Sequence, residues 1–292
     1  MSVITRKRIL ATVTVLAVMS LGFIWRSTQL AVSDSPSAEP TRMNNSELPA
    51  RERTMGEVLD MALAARQRMA ESLDDYTARF VKREVDAKGV AGEETEMLMK
   101  VQTRLRGDTE QAPLRVYLKF QRPDSVKGRE VMWAEDANDG KMAVYENYFP
   151  LSLKTIWLDP NGYLAMQGQR YPISEVGLVR LVEKLIERGE KDRDNPDIEV
   201  TIDSEHVFDD VATELIQVKR KKPGGGEDDF SLAEIVIDPE RQLILSYRSF
   251  GWPETDRGAA PLLESYQYHD LKTNVGLTDQ DFDTSNPSYA FP

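Results

Sequence analysis

The sequence has no cysteine and only two histidines, His206 and His269, among its 292 residues. Without cysteine the chain cannot form a disulfide, use a catalytic thiol, bind a metal through sulfur or carry the lipid-modified cysteine of a bacterial lipoprotein. Two histidines also argue against a zinc centre, because catalytic zinc usually takes two or three histidine ligands. We therefore expect no metal ion and no cofactor.

Familiar catalytic signatures are also missing from the sequence. The chain has no glycine-rich phosphate loop, no G-x-S-x-G turn, no H-E-x-x-H helix and no dinucleotide fingerprint. Glu205-His206 has no identifiable nucleophile or metal partner, so we interpret it as a polar pair near a strand end. The acidic triplet at 279–283 resembles the start of a calcium loop, but Thr284 and Ala290 stand where such a loop needs glycine and glutamate. The sequence therefore predicts no catalytic residues.

Positive charge is scarce in most of the chain. Residues 1–31 hold four of the 37 basic residues and none of the 49 acidic ones, which leaves 33 against 49 and a net charge of −16 beyond residue 31. Such a surface repels the phosphates of nucleic acid. We expect no nucleic-acid partner.

The N-terminal segment has the pattern of an export signal. Arg6-Lys7-Arg8 precedes residues 9–25, which are seventeen residues without a charge, and Arg26 follows. Basic residues before an apolar run keep the N-terminus in the cytoplasm and send the rest across the membrane. This length fits either a cleaved signal or a short membrane anchor. We expect residues 1–31 to be one of these, residues 32–53 to be a disordered tether, and the body to lie on the periplasmic side of the cytoplasmic membrane, anchored or released.

Two stretches have the periodicity of amphipathic helices. Thr54 and Glu57 have the spacing of a capping box, and the helix that they begin is expected to run to about Ser72. In the second stretch, Ser174 is the expected N-cap and Gly189 the expected residue just beyond the helix end. Its apolar side chains recur at helical spacing and form one wide face: Leu178, Val179, Leu181, Val182, Leu185 and Ile186.

Most of the remaining chain alternates apolar and polar residues with a period of two. About eleven such runs, joined mostly by short turns, predict an antiparallel meander. The predicted strands are 76–81, 94–101, 114–120, 130–135, 142–145, 151–158, 198–208, 213–221, 230–237, 243–250 and 263–271.

A sheet with so many strands curls, because each strand is rotated against its neighbour. We therefore predict an α+β, mostly β fold for residues 54–292: a single domain with a strongly curled, unclosed half-barrel. Two helices are expected to pack on its concave side or mouth. We expect a monomer.

Methionine and tryptophan are concentrated in the first half of the predicted sheet. Because methionine adapts to irregular apolar surroundings, this clustering is compatible either with a core filled by the helix or with a cavity that accepts acyl chains. The ligand-cavity hypothesis assigns the lining to Met97, Met99, Trp133, Leu178, Leu181, Val182 and Leu185.

Several short stretches of the chain together resemble one protein family. The stretches are 73–84, 127–131, 138–141, 164–168, 170–173, 266–271, 277–283 and 289–291. They are similar to domain-of-unknown-function family 1571, found in bacterial exported proteins, a resemblance that implies no catalytic residues. More distantly, the layout is similar to LolA-like lipoprotein carriers and to periplasmic sigma-factor regulators of the same fold, which implies an unclosed barrel with helices in its mouth and apolar cargo.

Three classes of function follow from this reading. The first is a non-enzymatic exported envelope protein that binds a lipid or an acylated polypeptide, such as a lipoprotein, in an apolar cavity. The second is a membrane-tethered envelope sensor or protein-interaction module with no small ligand. An enzyme is the third alternative, although no pair among the 49 acidic residues is singled out for chemistry.

Overall fold

A computed structural model of the chain describes residues 51–86, 88–107, 112–226, 229–255 and 258–292, which fall within one compact unit. The predicted signal or anchor and the predicted tether up to residue 50 lie outside these residues. Neither helix in the described part of the chain has the length and apolar character needed to cross a bilayer.

The fold is mostly β, as predicted, and consists of one twelve-stranded antiparallel sheet with two helices. The strands are β1 (Arg51–Arg53), β2 (Asp75–Glu84), β3 (Thr95–Gln102), β4 (Arg115–Arg122), β5 (Glu130–Ala134), β6 (Met142–Tyr145), β7 (Ile156–Leu158), β8 (Ile198–Phe208), β9 (Val211–Arg220), β10 (Leu232–Asp238), β11 (Leu243–Phe250) and β12 (Leu262–Thr273). The helices are α1 (Met55–Ser72) and α2 (Leu178–Lys191).

The strand order is β1-β8-β9-β10-β11-β12-β2-β3-β4-β5-β6-β7, so β1 and β7 are the two edges of an unclosed sheet. The predicted meander is confirmed within each half, where neighbours in sequence pair with each other. The halves are joined by β12 and β2, with Tyr268 opposite Phe80. Helix α2 lies in the connection from the edge strand β7 to β8, which is next to the opposite edge.

The main hydrophobic core lies between the helices and the face of the sheet that they cover, here called the inner face. Alternate residues of the strands enter it, as in the series Tyr76, Ala78 and Phe80 of β2. Both helices contribute buried side chains to the same cluster. The predicted half-barrel with helices packed on its concave side is therefore confirmed.

Helix α1 begins at the predicted position. The Glu57 amide donates to Thr54 Oγ1 at 3.2 Å, and the Thr54 amide donates to Glu57 Oε2 at 2.8 Å, which completes the predicted capping box. The buried face of the helix consists of Met55, Val58, Leu59, Ala65 and Met69.

Both predicted ends of the second helix are wrong. Ser174 lies in a short 3₁₀ turn, Ile173–Glu175, and α2 begins only after Gly177, whose φ of 114° is available to glycine alone without strain. Gly189 lies inside the helix. A Cβ at this position would come within 2.7 Å of Leu59 Cδ2 on α1, so a larger residue would clash there. Its role is close packing of the two helices rather than helix termination.

The strand count also differs from the prediction. The predicted strand 151–158 is interrupted, because Leu151–Leu153 forms a 3₁₀ turn in which the Leu153 amide donates to the Pro150 carbonyl at 3.2 Å. Only Ile156–Leu158 pairs with β6. Conversely, the last three residues of the predicted tether form β1, which pairs with β8.

The C-terminal segment packs on the outer face of the sheet. Phe282 is buried against Tyr117 and Met132, and the ring of Tyr289 lies 4.3 Å from that of Tyr117, centroid to centroid. Lys100 Nζ donates to Asp281 Oδ1 at 2.7 Å. The end of the chain therefore stabilises β4 to β6 from the side opposite the helices.

We predict that Leu181→Asn destabilises the fold by about 3 kcal/mol or more, because it removes buried apolar surface and buries an amide. Leu181 is 9% exposed in the core. The matched control is Lys191→Asn in the exposed last turn of the same helix, where we expect little change. Urea unfolding of both variants measures the difference, and equal losses would contradict this orientation of α2.

Candidate functional site

The structure brings all seven residues of the predicted cavity into the main core. Six are buried, and Leu185 is half-buried at the margin. Among them, Leu178, Val182 and Leu185 border one of the two cavities described below. Met97, Met99, Trp133 and Leu181 border neither of these two cavities and pack in the main core.

The first cavity, here called the helix-roofed cavity, lies between both helices and strands β9 to β11. It has a volume of about 70 Å³, and its walls are almost entirely apolar. Helix α1 contributes one side of the roof and α2 the other. The lining residues are Met55, Val58, Leu59, Ala62, Ala65, Val182, Leu185, Arg188, Gly189, Asp192, Ile216, Val218, Phe230, Ala233, Ile235, Ile237, Gln242, Ile244 and Tyr247.

The second cavity, here called the arginine-rimmed cavity, lies at the N-terminal end of α2 and has a volume of about 190 Å³. Arg66, Arg104 and Arg180 line it together with the apolar residues Val101 and Leu114. These arginines form ion pairs within the protein, which partly neutralise the positive charge of the rim.

Two of these ion pairs connect the rim to neighbouring elements. Arg66 on α1 donates to Glu183 on α2 at 2.9 Å, and Arg180 donates to Glu175 at 2.8 Å. Burial opposes ionisation of Glu175, but hydrogen bonds from Arg180 and Lys184 hold the pKa of its carboxyl below the usual value.

A buried tyrosine fastens the start of α2 to the sheet. The Leu178 amide donates to the hydroxyl of Tyr76 at 3.1 Å. Tyr76 is fully buried, and this burial raises the pKa of its hydroxyl well above the usual value. The hydroxyl therefore stays neutral and takes the place of the missing side-chain cap.

A buried polar network fastens the other end of α2. Glu264 is 3% exposed, and its Oε1 accepts hydrogen bonds from Arg188 at 3.1 Å and from Tyr247 at 3.3 Å. Its Oε2 accepts from Tyr266 at 3.1 Å, and the same hydroxyl lies 2.6 Å from Glu84 Oε1. One tyrosine therefore bridges two buried carboxylates.

The segment after β7 completes this network. Tyr171 accepts hydrogen bonds from Arg170 and Arg188, each at 3.0 Å, and Lys184 Nζ lies 3.6 Å from the centroid of its ring. Burial raises the pKa of the Tyr171 hydroxyl, as it does those of Tyr247 and Tyr266, where the neighbouring carboxylates raise it further. These hydroxyls remain protonated donors at neutral pH.

The Glu205-His206 pair and the acidic triplet at 279–283, which the sequence singled out as possible catalytic or calcium sites, have hydrogen-bond or ion-pair partners within the protein. His206 Nδ1 lies 2.8 Å from Thr213 Oγ1 across the β8–β9 pair. In the acidic triplet, Asp281 pairs with Lys100 and Asp279 with Arg115. Within the described ranges, no cluster of three or more histidine or acidic side chains is arranged to hold a metal ion.

The lining of the helix-roofed cavity was largely missed by sequence reasoning. Clustered methionine directed the prediction to β3–β6, whereas this cavity lies over β9–β11. The available signals were the small residues Ala62 and Ala65 on the apolar face of α1, and Ala233 in β10, because small side chains leave room between packed elements.

We predict that Arg188→Gln loosens the last turn of α2 and costs about 2–4 kcal/mol, because it removes the nearer of the two guanidinium groups that pair with the buried Glu264 carboxylate and leaves only Arg170, at 3.8 Å. Amide hydrogen exchange should become faster across the end of α2. The control is Arg193→Gln, whose guanidinium pairs with Glu190 outside the core and should leave exchange in α2 unchanged. Equal exchange in the two variants would contradict the fastening role of Arg188.

No curated protein matches the chain. Similar solved structures include a DUF1329 family protein from Desulfovibrio piger, with 13% identity, coverage of 79% of this chain and 98% of that chain, and a TM-score of 0.37. The MucA/MucB complex of Pseudomonas aeruginosa has 13% identity, coverage of 78% of this chain and 60% of that chain, and a TM-score of 0.43. A LolA superfamily protein from Nitrosomonas europaea has 10% identity, coverage of 76% of this chain and 97% of that chain, and a TM-score of 0.27.

The family match covers most of the described residues. Residues 73–291 match the family described as protein of unknown function DUF1571. These bounds include the whole sheet from β2 to β12, together with α2 and the C-terminal segment on the outer face. The resemblance drawn from the sequence is confirmed, and the chain belongs to the DUF1571 family.

Proposed function

We propose that residues 54–292 form one exported, non-enzymatic binding domain that shields the apolar chain of a lipid or an acylated polypeptide between the helix pair and the sheet. The observation that carries this proposal is the helix-roofed cavity, whose walls come from both helices and from the apolar inner face of β9–β11. Mostly apolar walls favour an apolar occupant, because a cavity of this kind offers water few hydrogen-bond partners.

The size of the cavity implies that the roof must move before a long chain can enter. At about 70 Å³, the cavity is well below the roughly 300–1,000 Å³ of ordinary ligand pockets. The two helices pack against each other at Leu59 and Gly189, which favours their movement as a pair. The inner face would then be exposed to the ligand without a change in the strand pairing.

The free energy of acyl burial offsets the polar cost of this movement. Each buried methylene yields about 0.8 kcal/mol, so a chain of about twelve carbons yields on the order of 9 kcal/mol before association costs. Separating α2 from the sheet breaks the contacts of Tyr76 with Leu178 and of Arg188 with Glu264. Each such hydrogen bond contributes only about 0.5–3 kcal/mol net, so breaking both costs less than burial of the acyl chain gains.

The buried polar groups support a structural role rather than catalysis. Glu84 and Glu264 accept hydrogen bonds from tyrosine, lysine and arginine side chains, and these donors lie on β2, α2, β11 and β12. In our proposal this network positions α2 and the segment that precedes it, and the chain uses no cofactor. The partners are a lipid or lipoprotein and, through the N-terminal segment, the cytoplasmic membrane.

A second candidate function is a tethered sensor or protein-interaction module without a small ligand. The observation that favours it is the small volume of the cavities, since close packing of the helices on the sheet leaves little room. In that case the helix pair simply completes the core, and the outer surface carries the function. Ligand binding distinguishes the two candidates.

We predict that the full chain binds a fluorescent fatty acid of about twelve carbons in a saturable manner, because burial of its methylenes is favourable. Ala62→Leu fills the helix-roofed cavity and should weaken binding by about tenfold or more. Ala64→Leu adds the same atoms at an exposed position of the same helix and should leave the affinity unchanged. Both variants keep the N-terminal segment, so its own affinity for the probe cancels in the comparison.

Thermal unfolding of the two variants shows whether a loss of binding has another cause. Ala62→Leu should unfold no earlier than the unmodified chain, because it fills space rather than creating it. Absence of saturable binding to the unmodified chain would favour the interaction module. Equal affinities of the two variants would place any bound chain elsewhere in the fold.

A further inference from the structure

Large exposed apolar side chains are concentrated in one part of the described chain. Seven of the twelve that the structure exposes lie in the β2–β3 hairpin, the β6–β7 loop, β7 and the segment just after it. Phe149 and Tyr163 are 79% and 72% exposed, which is extreme for aromatic residues. These seven residues, here called the aromatic end patch, are Val90, Tyr148, Phe149, Leu153, Trp157, Tyr163 and Leu164.

The topology brings most of this patch to one end of the sheet. Strands β2 and β6 run in the same direction in the antiparallel meander, so the loops that follow them lie at the same end. Tyr163 is there too, because Lys88 in the β2–β3 hairpin places its Nζ 6.0 Å from the centroid of the Tyr163 ring. Val207 and Val211, in the β8–β9 hairpin, lie at the opposite end.

The composition of the patch is that of a membrane interface. Tryptophan, tyrosine and phenylalanine concentrate at the boundary between lipid headgroups and acyl chains, because their rings are apolar and, in two of them, carry a polar tip. The stretch 148–164 has one positive and one negative residue, Lys154 and Asp159, in a chain of net charge −12. This stretch is therefore neutral, and the β2–β3 hairpin adds three acidic residues against Lys88, so the patch attracts zwitterionic rather than anionic lipid.

The chain outside the described residues is long enough to allow this contact. Residues 27–50, between Arg26 and β1, number 24. Extended, they span at most roughly 80–86 Å, and as a flexible coil about 25–30 Å. Strand β2, with ten residues, is only about 33 Å long. An anchor at residues 9–25 would therefore hold the body where either end of the sheet can reach the bilayer.

We propose that the aromatic end patch inserts into the headgroup region of a zwitterionic bilayer and docks the folded body on the membrane surface. This inference rests on the proposed export of the body and not on the helix-roofed cavity. It deepens the proposed function, since a carrier that exchanges acyl chains with a membrane must approach it. The contact is peripheral, because the patch consists of loops and one edge strand.

The absence of cysteine from the sequence allows a direct test with the full chain. Phe149→Cys, Tyr163→Cys and the control Val207→Cys are each labelled with an environment-sensitive fluorophore. All three positions are exposed, so the label should not disturb the core. The labelled chains are placed in phosphatidylcholine nanodiscs by means of their own N-terminal segments, with and without doxyl-labelled lipid as a quencher.

The expected result is a shift of emission to shorter wavelength at positions 149 and 163, with loss of most of that emission in the presence of doxyl lipid. The label at position 207 should show neither change. Solvent-like emission at all three positions would overturn the proposal. A shift at the patch without quenching would mean that protein covers it, and quenching at all three positions would mean non-specific adsorption; either result would also overturn it.

This test is independent of the cavity. The comparison of Ala62→Leu with Ala64→Leu in the fatty-acid titration reports on the helix-roofed cavity. Docking without fatty-acid binding would support the role of the aromatic end patch and contradict the carrier function. Fatty-acid binding without docking would support the carrier function and contradict the role of the patch.

Discussion

The antiparallel pairing of β12 with β2 is the constraint on which the rest of the structure depends. Each half of the sheet pairs neighbours in sequence, but among the described strands only this ladder unites the halves into one inner face that both helices can cover. Pairing β2 with β12 closes a loop that contains all the chain between Glu84 and Leu262, and this costs entropy before any contact is gained. Inner-face aromatic contacts offset this cost, as between Phe80 and Tyr268, whose ring centroids are 4.9 Å apart. The same ladder places Glu84 opposite Glu264 and so creates the polar network that fastens α2.

Periodicity predicted the elements well because each strand faces the core on one side and solvent or the C-terminal segment on the other. It could not predict which strands pair beyond neighbours, since alternation is the same for any partner. Gly189 shows a second limit: a glycine near a helix end has the pattern of a terminator, and only the position of Leu59 reveals a packing role. At 151–158, apolar residues alternated as in a strand, but the backbone bonds of the turn at Leu151–Leu153 prevail over that pattern.

The candidate site was predicted only in part, and the reason is physical. The helix face was identified correctly because its apolar residues recur at 3.6-residue spacing, and Val182 and Leu185 indeed border the helix-roofed cavity. A cavity, however, forms where side chains are small relative to the space between elements, so Ala62 and Ala233 matter more than the large methionines. Arg188 is not among the residues of the predicted apolar face, yet its long side chain reaches the buried Glu264.

The hydrogen bonds that hold the two ends of α2 on the sheet differ, and the difference favours separation of the helix from the sheet at its C-terminal end. At the start of the helix, the Tyr76 hydroxyl and the Leu178 amide are completely buried, so water can replace their bond only after the core has opened. At the other end, the side chain of Arg188 keeps 19% of its surface exposed, and charged groups are strongly rehydrated when they separate. Glu264 lies opposite Glu84, next to the β2–β3 hairpin, which is the end of the sheet that carries the aromatic end patch. If that end docks on a bilayer as proposed, separation of the C-terminal end of α2 from the sheet would open the helix-roofed cavity toward the lipid. An acyl chain could then enter directly from the bilayer without exposing its methylenes to water.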